Sequence, residues 1–294
     1  MTTKLQERDG QGISAIGRCM AMLEALSVHS SGLTSSELVT QLDIEKSAVS
    51  RILASLEANG YVIRDPKNPD LFRIAIKFAA VSLRFLDTTG LHDLCGPVLR
   101  PLAEKTGELV QLAIKENDQL TYVAKADGPH RIQFRSLLGT AAPLHASTAG
   151  KVWLASFPDE EALRIVLTAG MPKLARNTIT SIDRFRTELK RVRESGYATV
   201  EEELLDGGNA IGVPIQSRKG DEVVGAVVIT GPSFRFPRKR MIQFVDDMMK
   251  VAESLSEIGE IKALSNDERL TTALSESASE EKPTRVRPRR SGAA

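Results

Sequence analysis

Cysteine is almost missing from this sequence of 294 residues, and so is any excess of charge of one sign. Cys19 and Cys95 each sit inside an apolar helical pattern, with no CxxC spacing and no histidine pattern beside them. They read as small buried hydrophobes in a reduced compartment, and no zinc site is expected of them. Thirty-nine Lys plus Arg face 38 Asp plus Glu, a net charge of +1, so there is no global basic field and any DNA contact has to be local. No run approaches the roughly 18 uninterrupted apolar residues of a membrane span, and the polar start Met1 to Gly10 has no apolar signal core. A cytoplasmic protein without a membrane partner is the expectation.

The length, at roughly 150 residues per domain, suggests two domains of ordinary globular composition. Ile13, Ile16, Met20, Leu23 and Leu26 fall near the helical period and mark a first helix ending near His29 and Gly32. Thr34-Ser35-Ser36-Glu37 fits a capping box, in which hydroxyl and carboxylate satisfy each other's free backbone N–H groups, and opens a short second helix. Asp43-Ile44 leaves only a tight turn before Val49, Ile52, Leu53 and Leu56 define a third helix, stopped at Asn59-Gly60. Two brief strand-like runs, Tyr61 to Ile63 and Phe72 to Ile74, flank a turn rich in Pro and Asx residues. Three helices and a hairpin make a winged unit over 13–75, after a flexible start at 1–12; a linker helix follows over 76–89.

The remainder mixes strands (near 109–115, 120–126, 197–202, 210–215 and 223–230) with helices (near 91–105, 150–156, 159–167, 182–195 and 237–264). That order predicts an α+β domain over 90–264, an antiparallel or mixed sheet with helices on its faces. From residue 265 to 294 large apolar residues nearly vanish, so a disordered tail is expected there.

With Val49, Ile52, Leu53 and Leu56 inward, the third helix leaves Lys46, Ser47, Ala48, Ser50, Arg51 and Ser55 on or beside the outward face, a set suited to base edges and phosphates of a major groove. Thr34, Ser35 and Ser36 sit at a helix N-terminus suited to phosphate, and Arg64, Lys67 and Arg73 are the candidate wing contacts. Residues 1–90 carry ten Lys plus Arg against ten Asp plus Glu, so a merely solvated helical subdomain accounts for the same pattern. Sequence-blind DNA binding aided by the Arg285 to Arg290 run is another reading, against that of an inert end.

In the second domain, Gly139 to Lys151 is a run of small residues leading from a loop into a helix. Small side chains let a ligand approach backbone, and a helix start near Ser147 would suit a carboxylate; tight helix–sheet packing explains the run equally well. It is no Walker loop, because His145 and Val152 break that pattern. Glu201, Glu202, Glu203 and Asp206 would serve a metal or acid–base pair in an enzyme, but no histidine has ligand spacing beside them, and a solvated face explains them better. His29, His92 and His130 stand singly, and His145 with Ser147 lacks a third triad member. No catalytic residue, cofactor or metal is expected.

From Ile13 to Lys262 the chain resembles the isocitrate lyase regulator (IclR) type of bacterial transcription factor. The resemblance lies in Ala15-Ile16-Gly17-Arg18, in Lys46 to Leu53 followed by Leu56 to Tyr61, and in Pro143 to Ser147 with Ala149-Gly150-Lys151. It continues through Gly196-Tyr197-Ala198, Glu201 to Leu204, Ala210 to Ile215 and Val224 to Pro232. It implies a winged helix-turn-helix, a linker helix and a GAF-like effector domain, homodimers or homotetramers, a palindromic operator in double-stranded DNA, most often repression, and a small-molecule effector. By the same resemblance the effector pocket is lined by Leu144, Thr148, Ala149, Val200, Glu201, Ala210, Ile211, Val228 and Thr230. Val200 stands where members that take glyoxylate or pyruvate place an acid, Ala210 where many have cysteine, and Val228 where a serine occurs. This less polar lining points to a larger, more apolar effector such as an aromatic acid.

Overall fold

The computed structural model describes residues 14–89, 91–134, 138–217 and 222–257. The expected flexible start, the tail with its arginine run and the stretch 258–264 lie outside the described residues. The chain divides into two compact units, Met1–Thr88 and Thr89–Ala294.

In the first unit, α1 (Ala15–Ser27) begins at Ser14, whose Oγ accepts from the Gly17 N–H. Then come β1 (Leu33–Thr34), α2 (Ser35–Leu42), α3 (Lys46–Ala58), β2 (Val62–Arg64), β3 (Leu71–Ile74) and α4 (Ile76–Thr89). The strands form an antiparallel sheet in the order β1-β3-β2, so the wing has a third strand that pattern reading did not anticipate. Met22, Leu26, Leu38, Val49, Leu53 and Phe72 fill the core; burying a side chain of this size contributes about 1.5–3 kcal/mol. The inward face of α1 differs from the one expected: Ala21, Met22, Leu23, Ala25 and Leu26 turn inward, whereas Ile16 is 72% and Met20 53% exposed.

The second unit runs α5 (Leu91–Thr106), β4 (Leu109–Glu116), β5 (Gln119–Ala126), α6 (Thr148–Leu154), α7 (Asp159–Ala169), α8 (Ile182–Ser195), β6 (Ala198–Glu201), β7 (Gly208–Gln216), β8 (Val223–Pro232), α9 (Arg238–Ile242) and α10 (Val245–Glu257). Its sheet has the order β5-β4-β8-β7-β6 with every pair antiparallel. Helices α5 and α10 pack on the sheet and on each other, while α6, backed by α7 and α8, lies against β6, β7 and β8. Trp153, Val152 and Phe185 share a core with Ala198, Ala226 and Val228 of the sheet. The single helix expected from Pro237 is two: the N–H groups of Gln243 and Phe244 bond three residues back, to Arg240 and Met241, and this tightened turn ends α9 before α10 begins.

Candidate nucleic-acid interface and ligand site

Helix α2 ends at Asp43 in the left-handed region (φ 52°), and Ile44 is buried in the turn, so only three residues separate it from α3. Val49, Leu53 and Leu56 anchor α3, and Ala48, expected on or beside the outward face, is instead buried with them, because its small side chain turns toward the core; Lys46, Ser47, Ser50, Arg51 and Ser55 are exposed. The Arg51 Nε donates to the Ser47 carbonyl at 3.3 Å, laying the side chain along the helix. The structure thus brings Lys46, Ser47, Ser50 and Arg51 onto one open face.

At α2 the capping box forms in full: Thr34 Oγ1 accepts from the Glu37 N–H, while the Thr34 N–H and hydroxyl both donate to Glu37 Oε2 at 2.7 Å. These hydrogen bonds, the backbone one foremost, hold the Glu37 carboxyl below its ordinary range. Thr34 is therefore engaged in the cap, and a carboxylate already occupies the N-terminus where a phosphate contact was expected. Ser35 is half-buried and Ser36 exposed. Helix α3 starts differently, with Glu45 giving no side-chain cap.

The wing arginines have internal work. Arg64 Nε donates to both Glu57 oxygens at 2.9 Å and Nη1 to the Pro69 carbonyl, with the guanidinium 4.6 Å from the Phe72 ring centroid. Arg73 pairs with Asp65 and donates to the Ser31 carbonyl. Lys67 instead stands exposed in a turn closed by Asp65 Oδ1, which accepts from the Lys67 and Asn68 N–H groups.

In the second unit, Ser147 caps α6 by accepting from the Gly150 N–H. A Cβ on Gly150 would lie 2.3 Å from the Leu144 carbonyl, so the small-residue run does let the helix start press against the preceding turn. A Cβ on Gly212 would meet Thr148 Oγ1 at 2.7 Å, so that glycine lets α6 close on the sheet. The Thr148 hydroxyl is buried and has no hydrogen-bond partner among the described residues, a state that costs free energy unless a polar group meets it. Nearby, His145 is buried with Nε2 donating to the Pro172 carbonyl. Burial and then the Lys151 charge hold its pKa below the ordinary value despite that bond, so it is a neutral imidazole near pH 7.

Strand register sorts the expected pocket residues. Val200 lies opposite Ala210, and Ala210 opposite Thr230; Val228 lies opposite Gly212. These rows face α6, where Thr148 and Ala149 are buried, and the turn before it, where Leu144 is buried. Ile211 and Glu201 do not join them, because successive strand residues point to opposite faces. Ile211 is fully buried, and Glu201 reaches Arg238 at 3.2 Å.

The acidic run is the solvated face expected only at Glu201 and Asp206, whose side chains are accessible, whereas Glu203 turns inward. Glu203 is buried and its Oε1 accepts from Lys151 Nζ at 2.6 Å. Lys151, with no exposed surface, also donates to Glu188 Oε1 at 3.2 Å and to the Thr199 carbonyl at 3.4 Å. Burial raises the Glu203 pKa against the pull of Lys151; burial acts the same way on Glu188, but Arg191 and Lys151 outweigh it and its pKa falls. The remaining acids pair outward: Glu202 and Asp206 both with Arg176 at 3.2 Å. Among the described residues no group of three or more His, Cys, Asp or Glu gathers to hold a metal ion. Sequence reading missed this network; its only signal was a lysine inside an otherwise small and apolar helix start.

Known proteins carry the same two units. Residues 15–66 match the IclR helix-turn-helix domain, and residues 83–257 the bacterial transcriptional regulator IclR C-terminal domain. The HTH-type transcriptional regulator Rv1719 of Mycobacterium tuberculosis is 32% identical over 237 residues, covering 80% of this chain and 89% of that protein. The HTH-type transcriptional repressor AllR of Escherichia coli K12 is 27% identical over 253 residues, covering 86% and 93%. An IclR homolog from Microbacterium hydrocarbonoxydans, solved in complex with 4-hydroxybenzoate, superposes with a TM-score of 0.69 at 20% identity, covering 85% of this chain and all of that one. With an IclR helix-turn-helix domain in one unit and the IclR C-terminal domain in the other, the chain belongs to the IclR family of bacterial transcriptional regulators.

Proposed function

We propose that this protein is a cytoplasmic repressor that reads a palindromic operator as a dimer or tetramer and yields it in response to a small organic acid bound in the second unit. The observation that carries the reading is the exposed face of α3, where Ser47, Ser50 and Arg51 stand free of the core and would meet base edges. Lys46, Ser36 and Lys67 are placed for phosphates, with Ser35 beside them. Arg64 and Arg73 act first by shaping the wing, and Thr34 by capping α2. Ile16 and Met20 on α1 and Ile76 and Leu83 on α4 give the first unit exposed apolar surface suited to a second copy.

The effector reading rests on a lining of Leu144, Ala149, Val200, Ala210 and Val228 with the hydroxyls of Thr148 and Thr230. Few polar groups and much apolar wall suit an aromatic acid better than glyoxylate, and the ligand of the Microbacterium homolog belongs to that class. Glu201 and Ile211, on the other face, fall out of the lining. A catalytic role is disfavoured because Glu201, Glu202, Glu203 and Asp206 all have cationic partners, which leaves no carboxylate poised as a base. Calorimetry with 4-hydroxybenzoate, benzoate, glyoxylate and pyruvate tests the effector class. The aromatic acids should bind more tightly, and tighter binding of glyoxylate or pyruvate refutes it.

A further inference from the structure

One cation in the second unit has no contact with solvent. Lys151 Nζ bonds to Glu203 Oε1, to Glu188 Oε1 and to the carbonyl of Thr199. Arg191 closes the circuit, donating to both Glu188 oxygens and, at 3.3 Å, to Thr199 Oγ1. Thr199 is thereby held at two atoms, and its carbonyl belongs to the peptide bond that carries Val200. β6 is an edge strand, hydrogen-bonded within the sheet on one side only, and such strands need something to hold their free backbone groups. Lys151 also lies one helical turn after Thr148 on α6, so a single side chain joins the two elements that bear Thr148 and Val200.

We infer that Lys151 is a positioning residue for effector binding: by tying α6 to the Thr199 carbonyl and to Glu203, it fixes the separation between the Thr148 and Val200 walls of the ligand site. The inference rests on the effector reading above. Buried ion pairs commonly contribute little net stability, since desolvation offsets attraction, whereas removing one partner strands a buried charge. Stability and positioning are therefore separable. Lys151→Met leaves Glu203 uncompensated, but Lys151→Met with Glu203→Gln leaves Glu188 and Arg191 as a balanced pair and still lacks the tie to Thr199.

The test compares wild type, K151M and K151M/E203Q by thermal melting, by calorimetric titration with 4-hydroxybenzoate, and by amide hydrogen exchange of the ligand-free proteins. The expected result is that K151M melts lower, that the double variant regains most of the loss, and that its affinity for 4-hydroxybenzoate is still about tenfold weaker, with faster exchange across β6. A double variant that melts, binds and exchanges like wild type overturns the inference and leaves Lys151 a structural ion pair. If wild type itself binds no 4-hydroxybenzoate, the effector reading fails for that acid and exchange alone decides. Faster exchange confined to β6 at matched melting temperature upholds the positioning role, and unchanged exchange overturns it.

Discussion

The two units place their polar residues in opposite ways. In the first, the residues proposed to meet DNA are on the outside: Ser47, Ser50 and Arg51 are exposed on a helix held by Val49, Leu53 and Leu56. In the second, the polar groups around the proposed ligand site are buried: the Thr148 hydroxyl without a partner among the described residues, His145 on the Pro172 carbonyl, and Lys151 between two carboxylates. A DNA reader recognises its target from outside, so its working residues contribute little to its own stability. A pocket that encloses a ligand has to keep its polar groups inside, where each is also a term in folding. Single substitutions at working residues should therefore separate function from stability in the first unit and entangle them in the second, where it takes a charge-compensated pair such as K151M/E203Q to pull the two apart.

The largest effect should come from Leu53→Ala, which empties a fully buried site in the small first unit and should cost about 2–5 kcal/mol. Differential scanning calorimetry should show the first unit's transition shifted down and DNA binding lost; an unshifted transition would mean Leu53 is not the anchor of α3. Gly212→Ala forces a methyl to 2.7 Å from the Thr148 hydroxyl. It should cost about 1–3 kcal/mol by overpacking and weaken acid binding in parallel. Lost binding at an unchanged melting temperature would break the expected entanglement. Arg51→Ala should weaken operator binding by about 1–3 kcal/mol at fixed salt and leave melting unchanged. Equal affinity would remove Arg51 from the reading set.

A smaller effect should appear with pH. The His145 pKa is lowered in the folded state, so as pH falls below about 6.5 the unfolded chain takes up its proton first. Stability of the second unit should be fully present near pH 7 and decline as pH drops toward 5, and His145→Gln should flatten that limb of the melting-temperature profile. A wild-type profile without the limb would contradict the neutral buried imidazole. Smallest of all, Lys67→Ala should reduce the salt dependence of DNA binding by about one unit of slope, with no change in sequence preference.

The contrast also explains what the sequence made legible. Apolar spacing and the Thr34–Glu37 box located α2 and α3, because a helix that buries one side writes its period into the residues. The exposed face of α3 followed by subtraction. Other features left no such trace. Arg64 and Arg73 look like any wing cations until their partners Glu57 and Asp65 are seen, and these partners come from the fold. The break between α9 and α10 contains neither Pro nor Gly; it is a local tightening beside Phe236 stacked with Phe244, which no propensity encodes. The family resemblance offers Ala210-Ile211 and Val200-Glu201 as pairs, yet strand alternation admits only one of each pair to the α6 side. Glu203 meets Lys151 across 52 positions of chain, a distance over which a single sequence carries no pairing signal.

The proposal on which the rest depends is that one chain joins specific DNA reading to the binding of an organic acid. It is tested most directly by titrating the full-length protein against the DNA upstream of its own gene, at fixed salt and with excess competitor DNA, with and without 4-hydroxybenzoate and a panel of short-chain acids. The expected result is one discrete complex that survives competitor and is dissolved by an aromatic acid at concentrations where glyoxylate has no effect. A complex erased by competitor, or one that persists unchanged against every acid, would contradict it.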